Sequence, residues 1–202
     1  ATAVCYVRQL AQRNIDIHTI ANSMMFTFSL GANFFMEIAK LRALRVLWAR
    51  IMEAFGAEEA DRAVHVHGRT SAFTKTVYDP YVNLLRNTTQ AFSGVVGGLN
   101  SLEVSPFDQP IRKADDFSRR IARNIQVMLQ TEFELRQPVD PVGGSWYVET
   151  LAAELCEKIW AEFQMIESKG GIVVALKEGY PQAQVKAILE ERFKNLAYRR
   201  DV

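Results

Sequence analysis

Residues 64–71 read VHVHGRTS, and this alternation predicts a β-strand with its ionisable side chains on one face. Two valines alternate with His65 and His67, so both imidazoles lie on the same side, because successive side chains of a strand point to opposite faces. Arg69 falls on that face two residues further along. Two imidazoles and a guanidinium facing one way are consistent with a metal site, an anion site or the lining of a larger cavity.

A strand–loop–helix unit precedes this strand. Residues 24–31, MMFTFSLG, are apolar and partly alternating and end at a glycine, which predicts a strand followed by a turn. In residues 32–55, apolar side chains recur at spacings of three and four, from Phe34 through Trp48 to Phe55. That period predicts an amphipathic helix.

The unit that contains VHVHGRTS has its own helix signals. Asp79 followed by Pro80 predicts a helix start, with Asp79 as the N-cap and the proline at the first helical position. Gly97 and Gly98 predict where that helix ends.

A third unit begins with residues 99–105, LNSLEVS, which predict a strand with Leu102 and Val104 on one face. Residues 114–135 predict the helix that follows, and Asp115 and Asp116 at its start suit the positive end of the helix dipole. Three consecutive strand–helix units predict an α/β fold with a parallel sheet and helices packed outside it.

Three such units do not close a structure by themselves, because a parallel sheet is normally covered on both faces and a barrel needs eight strands. Two architectures stay open: a small open sheet, or the last three βα units of a (β/α)8 TIM barrel. The pattern changes in the later sequence. A Pro- and Gly-rich loop is predicted to contain Trp146 and Tyr147, and helices without intervening strands are predicted after it. We therefore predict a barrel portion over 1–137 and a helical extension over 138–202.

The 202 residues carry a net charge of +1 and are 49% hydrophobic, a globular composition that does not favour nucleic-acid or membrane binding. No apolar run reaches the roughly 18 residues that a membrane span needs.

Cys5 and Cys156 stand far apart without a CxxC motif, so we expect reduced thiols in an intracellular, cytoplasmic protein. The chain has no initiator Met and opens as if inside a helix, so we expect a piece of a longer protein.

The polar side chains of the strand admit competing interpretations. His65 and His67 can bind one metal, as in a metal-dependent hydrolase barrel, but a zinc site needs a third ligand, and the next strand supplies Glu103 at best. The other interpretation is one histidine lining a cavity and the other packed. Arg69 and Asp108 either form a salt bridge or converge with the neighbouring Gln109 on a polar ligand.

Several blocks of the sequence, in order, resemble one protein family. They are FFMEIAKLRALRVLWARI, HGRTS, DPYVNLLRNTTQAF, PFD, DDFSRRIARNIQ, DPVGGSWYVE and IESKGG. Together they are similar to the cobalamin-dependent acyl-CoA mutases, typified by methylmalonyl-CoA mutase, over nearly the whole chain. The resemblance implies a (β/α)8 barrel threaded by coenzyme A, with these units as its last three. It also implies adenosylcobalamin at the carboxyl rim, held by a separate cobalamin-binding domain.

The reaction that the resemblance implies is a radical isomerisation of the carbon skeleton of a branched or dicarboxylic acyl-CoA. The family's catalytic tyrosine and histidine belong to earlier strands, and its Asp-x-His-x-x-Gly motif for cobalt belongs to a later domain. We therefore expect no catalytic residue in this segment, which would be inactive alone. The implied partners are an acyl-CoA substrate and a homologous mutase subunit in a dimer.

The rim departs from the family's active pattern. The usual His-x-Gln-Thr-Ser-Gly reads HGRTSA at 67–72, which replaces glutamine by an arginine with a full charge and five donors. The usual Asn and Glu facing the adenosyl group become Ser105 and Gln109, and an arginine that grips coenzyme A becomes Ser23. These changes resemble the non-catalytic small subunit of heterodimeric mutases. The alternative is a competent mutase for a different acyl-CoA.

This resemblance implies a set of side chains that face cofactor or substrate at the rim. They are His67, Arg69, Thr70, Ser71, Phe73, Ser105, Phe107, Asp108 and Gln109. No metal ligand is expected among them, and His65 is expected one layer deeper as barrel filling. In this interpretation VHVHGRTS lines a barrel mouth and is not a metal clamp.

Overall fold

The structure, a computed structural model, describes residues 1–200, which form two compact units. One unit, residues 17–157, carries the sheet. The other combines residues 1–16 with the chain from Lys158 onward, and its described regular elements are helices. In chain order the helices are α1 (Thr2–Ala11), α2 (Ile17–Ser23), α3 (Phe34–Ala54), α4 (Val82–Val96), α5 (Asp116–Thr131), α6 (Trp146–Ser168), α7 (Ile172–Lys177) and α8 (Tyr180–Ala197), with a 3-10 helix at Glu59–Arg62.

Three parallel strands form the sheet, in the spatial order β1 (Met25–Leu30), β2 (His65–Thr70) and β3 (Ser101–Glu103). The predicted α/β arrangement with a parallel sheet is confirmed. The third strand is shorter than the predicted 99–105. It stops early because the Ser105 N–H donates to the Thr70 hydroxyl, at 2.9 Å, and not to a backbone carbonyl.

One face of the sheet packs against helices and the other is open. Leu30 and Val66 are fully buried on the packed face, and Phe26 meets Trp48 of α3 edge-on with ring centroids 4.8 Å apart. The open face carries exposed or half-buried side chains, which are Met25, Thr27, Ser29, His65, His67, Arg69, Ser101 and Glu103. Such a bare face is unusual, because parallel sheets are normally buried on both sides.

Glycines let α4 lie close to the packed face. A Cβ at Gly94 would lie 2.6 Å from a Leu99 methyl and 2.7 Å from a Leu30 methyl, and a Cβ at Gly68 would overlap the same Leu99 methyl. Carbon atoms normally approach to ~3.5–4.0 Å. The absence of these two Cβ atoms therefore gives the leucines their space between strand and helix.

The start of α4 differs from the prediction, and its end agrees. The helix begins at Val82 with Tyr81 as the N-cap, so the prediction of Asp79 as the N-cap is wrong. The Asp79 carboxylate instead accepts a hydrogen bond from the Tyr81 N–H at 3.2 Å, which makes a turn before the helix. Gly97 is the C-cap and Gly98 has a φ of 81°, as the glycine pair predicted.

The start of α5 agrees with its acidic signal. Asp115 is the N-cap: its carboxylate accepts from the Ser118 N–H at 2.8 Å, and the Ser118 hydroxyl accepts from the Asp115 N–H at 3.1 Å. The hydrogen bond from the Ser118 backbone is the main reason that the pKa of Asp115 is lowered. This reciprocal pair is a capping box.

Arg42 of α3 holds the loop before α6. Its guanidinium donates to both carboxylate oxygens of Asp140 at 2.8 Å and to Glu149. These bonds, that to Asp140 first, raise the pKa of Arg42. Because α6 begins at Trp146, Trp146 and Tyr147 lie in its first turn and not in the loop that was predicted to deliver them.

In the other unit, residues 1–16 and the chain from Lys158 onward, the described regular elements are helices. Arg8 of α1 pairs with Glu167 of α6 at 2.8 Å, and α8 has no buried residue. Within residues 1–200 no strand follows β3. None of the described helices has the length and apolar character that crossing a bilayer requires. The domain boundary between 137 and 138 stays a prediction.

Candidate functional site

The open face of the sheet presents polar side chains in register across its strands. His67 pairs with Thr27 on one side and with Ser101 on the other. The His67 Nδ1 shares a hydrogen bond with the Ser101 hydroxyl at 2.8 Å. One step closer to the carboxyl ends of the strands, Arg69 lies opposite Glu103. The parallel ladder therefore gathers an imidazole, hydroxyls and an ion pair on one wall.

Arg69 forms its ion pair within this wall. Its Nε lies 3.2 Å from Glu103 Oε1, and about half of each side chain is exposed, 48% and 49%. The salt bridge considered between Arg69 and Asp108 is wrong. The Asp108 carboxylate is buried and accepts from Arg112 Nε at 2.9 Å, because that arginine follows four residues later in the same segment.

Lys75 has no signal in the sequence, yet it lies at this rim. Its ammonium donates to Gln109 Oε1 at 2.9 Å and to the Pro106 carbonyl at 3.3 Å. Burial, first, and the nearby charge of Arg69, second, lower the pKa of Lys75 to about 8. Lys75 therefore joins the loop after β2 to the loop after β3, and its lowered pKa means that it loses its proton at a lower pH than an ordinary lysine.

Three of the predicted rim residues lie in the interior behind the open face. Thr70, on the packed face of β2, donates from its hydroxyl to Ser105 Oγ at 3.1 Å, and the two residues are 2% and 0% exposed. The Ser71 N–H donates to the Leu30 carbonyl and to Gln90 Oε1, each at 3.0 Å. These bonds fix the points at which β1 and β2 end.

The remaining predicted residues divide between surface and interior. Phe73 is 72% exposed, whereas Phe107 is buried and stacks on Tyr81 with ring centroids 5.4 Å apart. The structure thus brings some predicted side chains to the accessible rim, namely His67, Arg69, Phe73 and Gln109. It places the others behind that rim, namely Thr70, Ser71, Ser105, Phe107 and Asp108.

The inward face of α4 is polar, which the sequence did not predict. Asn83, Asn87 and Gln90 share one side of the helix, and each is at most 3% exposed. Amides of this kind are mostly found on surfaces, so their composition alone carries no signal. Only the spacing of four and three, taken together with the neighbouring loops, could have pointed to them.

The two histidines do share a face, as the alternation predicted. His65 is exposed at the start of β2, while His67 is half-buried against Ser101. Within the described part of the chain no three His, Cys, Asp or Glu side chains are grouped so that they could hold a metal ion. Glu103, considered above as a third ligand, is engaged with Arg69. The metal-dependent hydrolase alternative therefore gains no support.

These features define the class of the protein. It is a parallel α/β chain whose polar side chains gather toward the carboxyl ends of its strands, the edge at which α/β enzymes bind their ligands. Fold and edge chemistry alone do not select one reaction, because many activities share this architecture.

Comparison with known proteins identifies the family. Residues 1–202 match the family model described as Methylmalonyl-CoA mutase. The chain is 40% identical to the methylmalonyl-CoA mutase small subunit of Porphyromonas gingivalis, over 91% of this chain and 30% of that protein. It is 41% identical to the small subunit of Streptomyces virginiae, over 100% of this chain and 32% of that protein. It is 42% identical to the methylmalonyl-CoA mutase of Rhizobium meliloti, over 92% of this chain and 26% of that protein.

The chain belongs to the methylmalonyl-CoA mutase family, and the resemblance found in its sequence blocks is confirmed. The chain spans between 26% and 32% of the length of these three relatives.

Proposed function

We propose that this chain supplies the last three βα units of a (β/α)8 barrel in an adenosylcobalamin-dependent acyl-CoA mutase, as a non-catalytic chain of small-subunit type. Family membership and the small-subunit names of its relatives support the isomerase class. The observation that carries the proposal is the uncovered, polar face of the parallel sheet. In a closed barrel that face is the inner wall, and the remaining strands cover it.

The edges of the sheet support closure as well. Within the described sheet, β1 and β3 each have one strand neighbour, so each has an outer edge without a strand partner there. Closing a barrel removes such edges. A cavity of about 390 Å³ beside β3, lined by Leu99, Ser101, Leu102 and residues of α5, suits the packing of a further element there.

In this proposal the predicted rim residues contribute to the site in two ways. His67, Arg69, Phe73 and Gln109 border the barrel mouth directly. The interior residues shape the loops behind it, and they are Thr70, Ser71, Ser105, Phe107 and Asp108. The non-catalytic role is supported by Arg69, whose charge is balanced by Glu103 within the wall, where active relatives are expected to have a neutral amide.

The described residues fit a bordering role toward adenosylcobalamin and not a holding role. The chain has three histidines. His18 shares a hydrogen bond with Asp61 at 2.8 Å and His67 with Ser101, so two imidazoles are engaged within the fold. When bound, adenosylcobalamin supplies a radical by cleavage of its cobalt–carbon bond. The contribution of this chain is a polar wall and two fixed loops, while a separate cobalamin-binding domain holds the cofactor.

The proposal includes the division of the chain. Residues 1–137 belong to the barrel, and residues 138–202 form a helical connector toward the cobalamin-binding domain.

The partners are an acyl-CoA substrate and a homologous mutase subunit, which the small-subunit and large-subunit names of relatives from one organism support. The cytoplasmic location belongs to the same proposal and is supported by Cys5 and Cys156, which are both free thiols.

The function is tested with the complete protein, alone and together with a homologous mutase subunit, with adenosylcobalamin and methylmalonyl-CoA supplied. We expect the assembled pair to isomerise the thioester and the complete protein alone to be inactive. Activity of the protein alone on this or another acyl-CoA would support the competent-mutase alternative. No association with a mutase subunit, together with no activity in either preparation, would refute the proposed function.

A double variant sharpens this test. Arg69→Gln with Gln109→Glu introduces the residues that the resemblance expects in active mutases. A non-catalytic chain predicts unchanged kcat/KM for the assembled pair. A change of about tenfold, equivalent to ~1.4 kcal/mol in the barrier, would mean that this rim touches the reacting groups.

A further inference from the structure

Buried amide side chains of α4 hold the two loops that carry the rim. Asn83 joins both loops: its Nδ2 donates to the Thr76 carbonyl and to the Phe107 carbonyl, each at 2.9 Å. Its Oδ1 accepts from the Thr76 N–H at 3.0 Å. Asn83 is 0% exposed. Its side-chain amide bonds to both the N–H and the carbonyl of Thr76, as the backbone of a neighbouring β-strand would. Both donors and the acceptor of this side chain are therefore used.

Two further amides act on the same loops. Gln90 accepts from the Ser71 N–H and donates from Nε2 to the Thr74 hydroxyl at 2.6 Å. Asn87 donates to the Ser105 carbonyl at 2.8 Å. The loop after β2 is therefore attached to α4 at Ser71, Thr74 and Thr76, and the loop after β3 is attached to it at two points.

Lys75 stands between these attachments. Gln90 holds the residue before it, Thr74, and Asn83 holds the residue after it, Thr76. The Lys75 ammonium reaches across to Gln109, two residues beyond the carbonyl of Phe107 that Asn83 also binds. One buried amide thus controls both sides of the contact between the loops.

We propose that Asn83 is a positioning residue of the rim, which sets the contact of Lys75 with Gln109 by fixing the two loops against each other. The meaning of that contact for catalysis rests on the proposed mutase barrel, whereas the loop geometry itself does not. Packing alone is the competing explanation, because a fully buried side chain also fills space.

Two substitutions separate positioning from filling. Asn83→Leu keeps the branched shape of the side chain and removes every hydrogen bond, while Asn83→Ala removes volume and bonds together. In the purified complete protein, amide hydrogen exchange at Thr76 should accelerate about tenfold or more in both variants, since its acceptor is lost. NMR titration of the lysine side chains should show the pKa of Lys75 rising from about 8 toward the ordinary value of about 10.4 as the loops part and water enters.

Asn124→Leu, at an exposed position of α5, is the control and should change neither reading. The inference is overturned if Asn83→Leu keeps both wild-type values, because the side chain then only fills space. It is overturned equally if Lys75 of the unaltered protein already titrates near the ordinary value. Should Asn83→Leu not fold, Asn83→Val, which is closer to asparagine in volume and also removes every hydrogen bond, decides between the rise and no rise. Neither reading uses catalysis, so a wrong assignment of the mutase function would leave this test intact.

Discussion

Positively and negatively charged side chains lie close together at the rim. Arg69 is paired with Glu103, and Lys75 has only neutral acceptors, Gln109 and the Pro106 carbonyl, in direct contact. Burial, first, and the Arg69 guanidinium, second, disfavour the charged form of Lys75 and lower its pKa. Removing the charge of Arg69 is therefore expected to alter the titration of Lys75.

Arg69→Gln removes one of these charges. Because the ion pair with Glu103 is half exposed, we expect a loss of at most about 1 kcal/mol in the free energy of unfolding. The pKa of Lys75 should rise above about 8, since a repelling charge is gone. Urea denaturation and NMR titration measure the two effects, with Arg123→Gln on an exposed part of α5 as the control. A loss of ~3 kcal/mol or more would mean that Arg69 is a buried structural partner.

Lys75 makes the stability of the fold depend on pH. Its folded pKa of about 8 lies below the unfolded value of about 10.4, so the native state binds fewer protons than the unfolded state between these values. Stability from this group therefore rises with pH across that window. Lys75→Met lacks the effect, so the stability of the wild type relative to the variant should increase between pH 7 and pH 10, measured by urea unfolding. Parallel pH profiles would contradict the assigned environment of Lys75.

The sequence located some of these side chains and not their partners. Alternation placed His65, His67 and Arg69 on one face correctly, because the period of a strand is local information. The partner of Arg69 depends on the register between β2 and β3, which are separated by a whole helix, so Asp108 was considered and Glu103 was found. No sequence pattern pointed to Lys75, since its position depends on hydrogen bonds between its loop and side chains of α4.

The sequence predicted helices and strands correctly where a hydrophobic pattern continued over many residues or where the capping residues were clear. The pattern of 32–55 and the acidic start at Asp115 matched α3 and α5 closely. The starts of two helices were not predicted correctly. Asp79 forms a turn before α4, and α6 already begins at Trp146. The polar inward face of α4 was missed because an amphipathic pattern is normally recognised by its apolar side.

Gly97 tests how closely α3 and α4 must approach. A Cβ there would lie 2.7 Å from a Leu41 methyl and 3.3 Å from the Ile38 Cα, which is backbone and has little freedom to move. We expect Gly97→Ala to cost ~1–3 kcal/mol through this overpacking. Thermal or urea unfolding measures the loss.

The matched control for this prediction is Gly31→Ala. A Cβ at Gly31 would meet only the flexible end of Glu37, at 3.0 Å, so little loss is expected. Equal effects of the two substitutions would show that close approach of the helices is not what Gly97 provides.

At the scale of the whole chain, the unit of residues 17–157 contains a sheet that helices cover on one face only. Its packed face has a buried core with Leu30 and Val66, and its opposite face has polar side chains in register. The sequence predicted the parallel sheet but left an open sheet and a barrel as alternatives, because three units satisfy both. The bare face and the family membership together favour the barrel.

Thr27 lies in the middle of the open face, and its burial in the complete protein tests the barrel most directly. The measurement is the labelling rate of Thr27→Cys by a bulky maleimide, in a background in which every native cysteine of the complete protein, Cys5 and Cys156 included, is changed to serine. Val46→Cys, on the 61% exposed Val46 of α3, is the reference. The barrel predicts that Thr27→Cys is labelled at least about a hundredfold more slowly than the reference, as for a site that opens only rarely. Labelling of both sites at the same rate would show that this face is open to solvent and that no barrel closes over it.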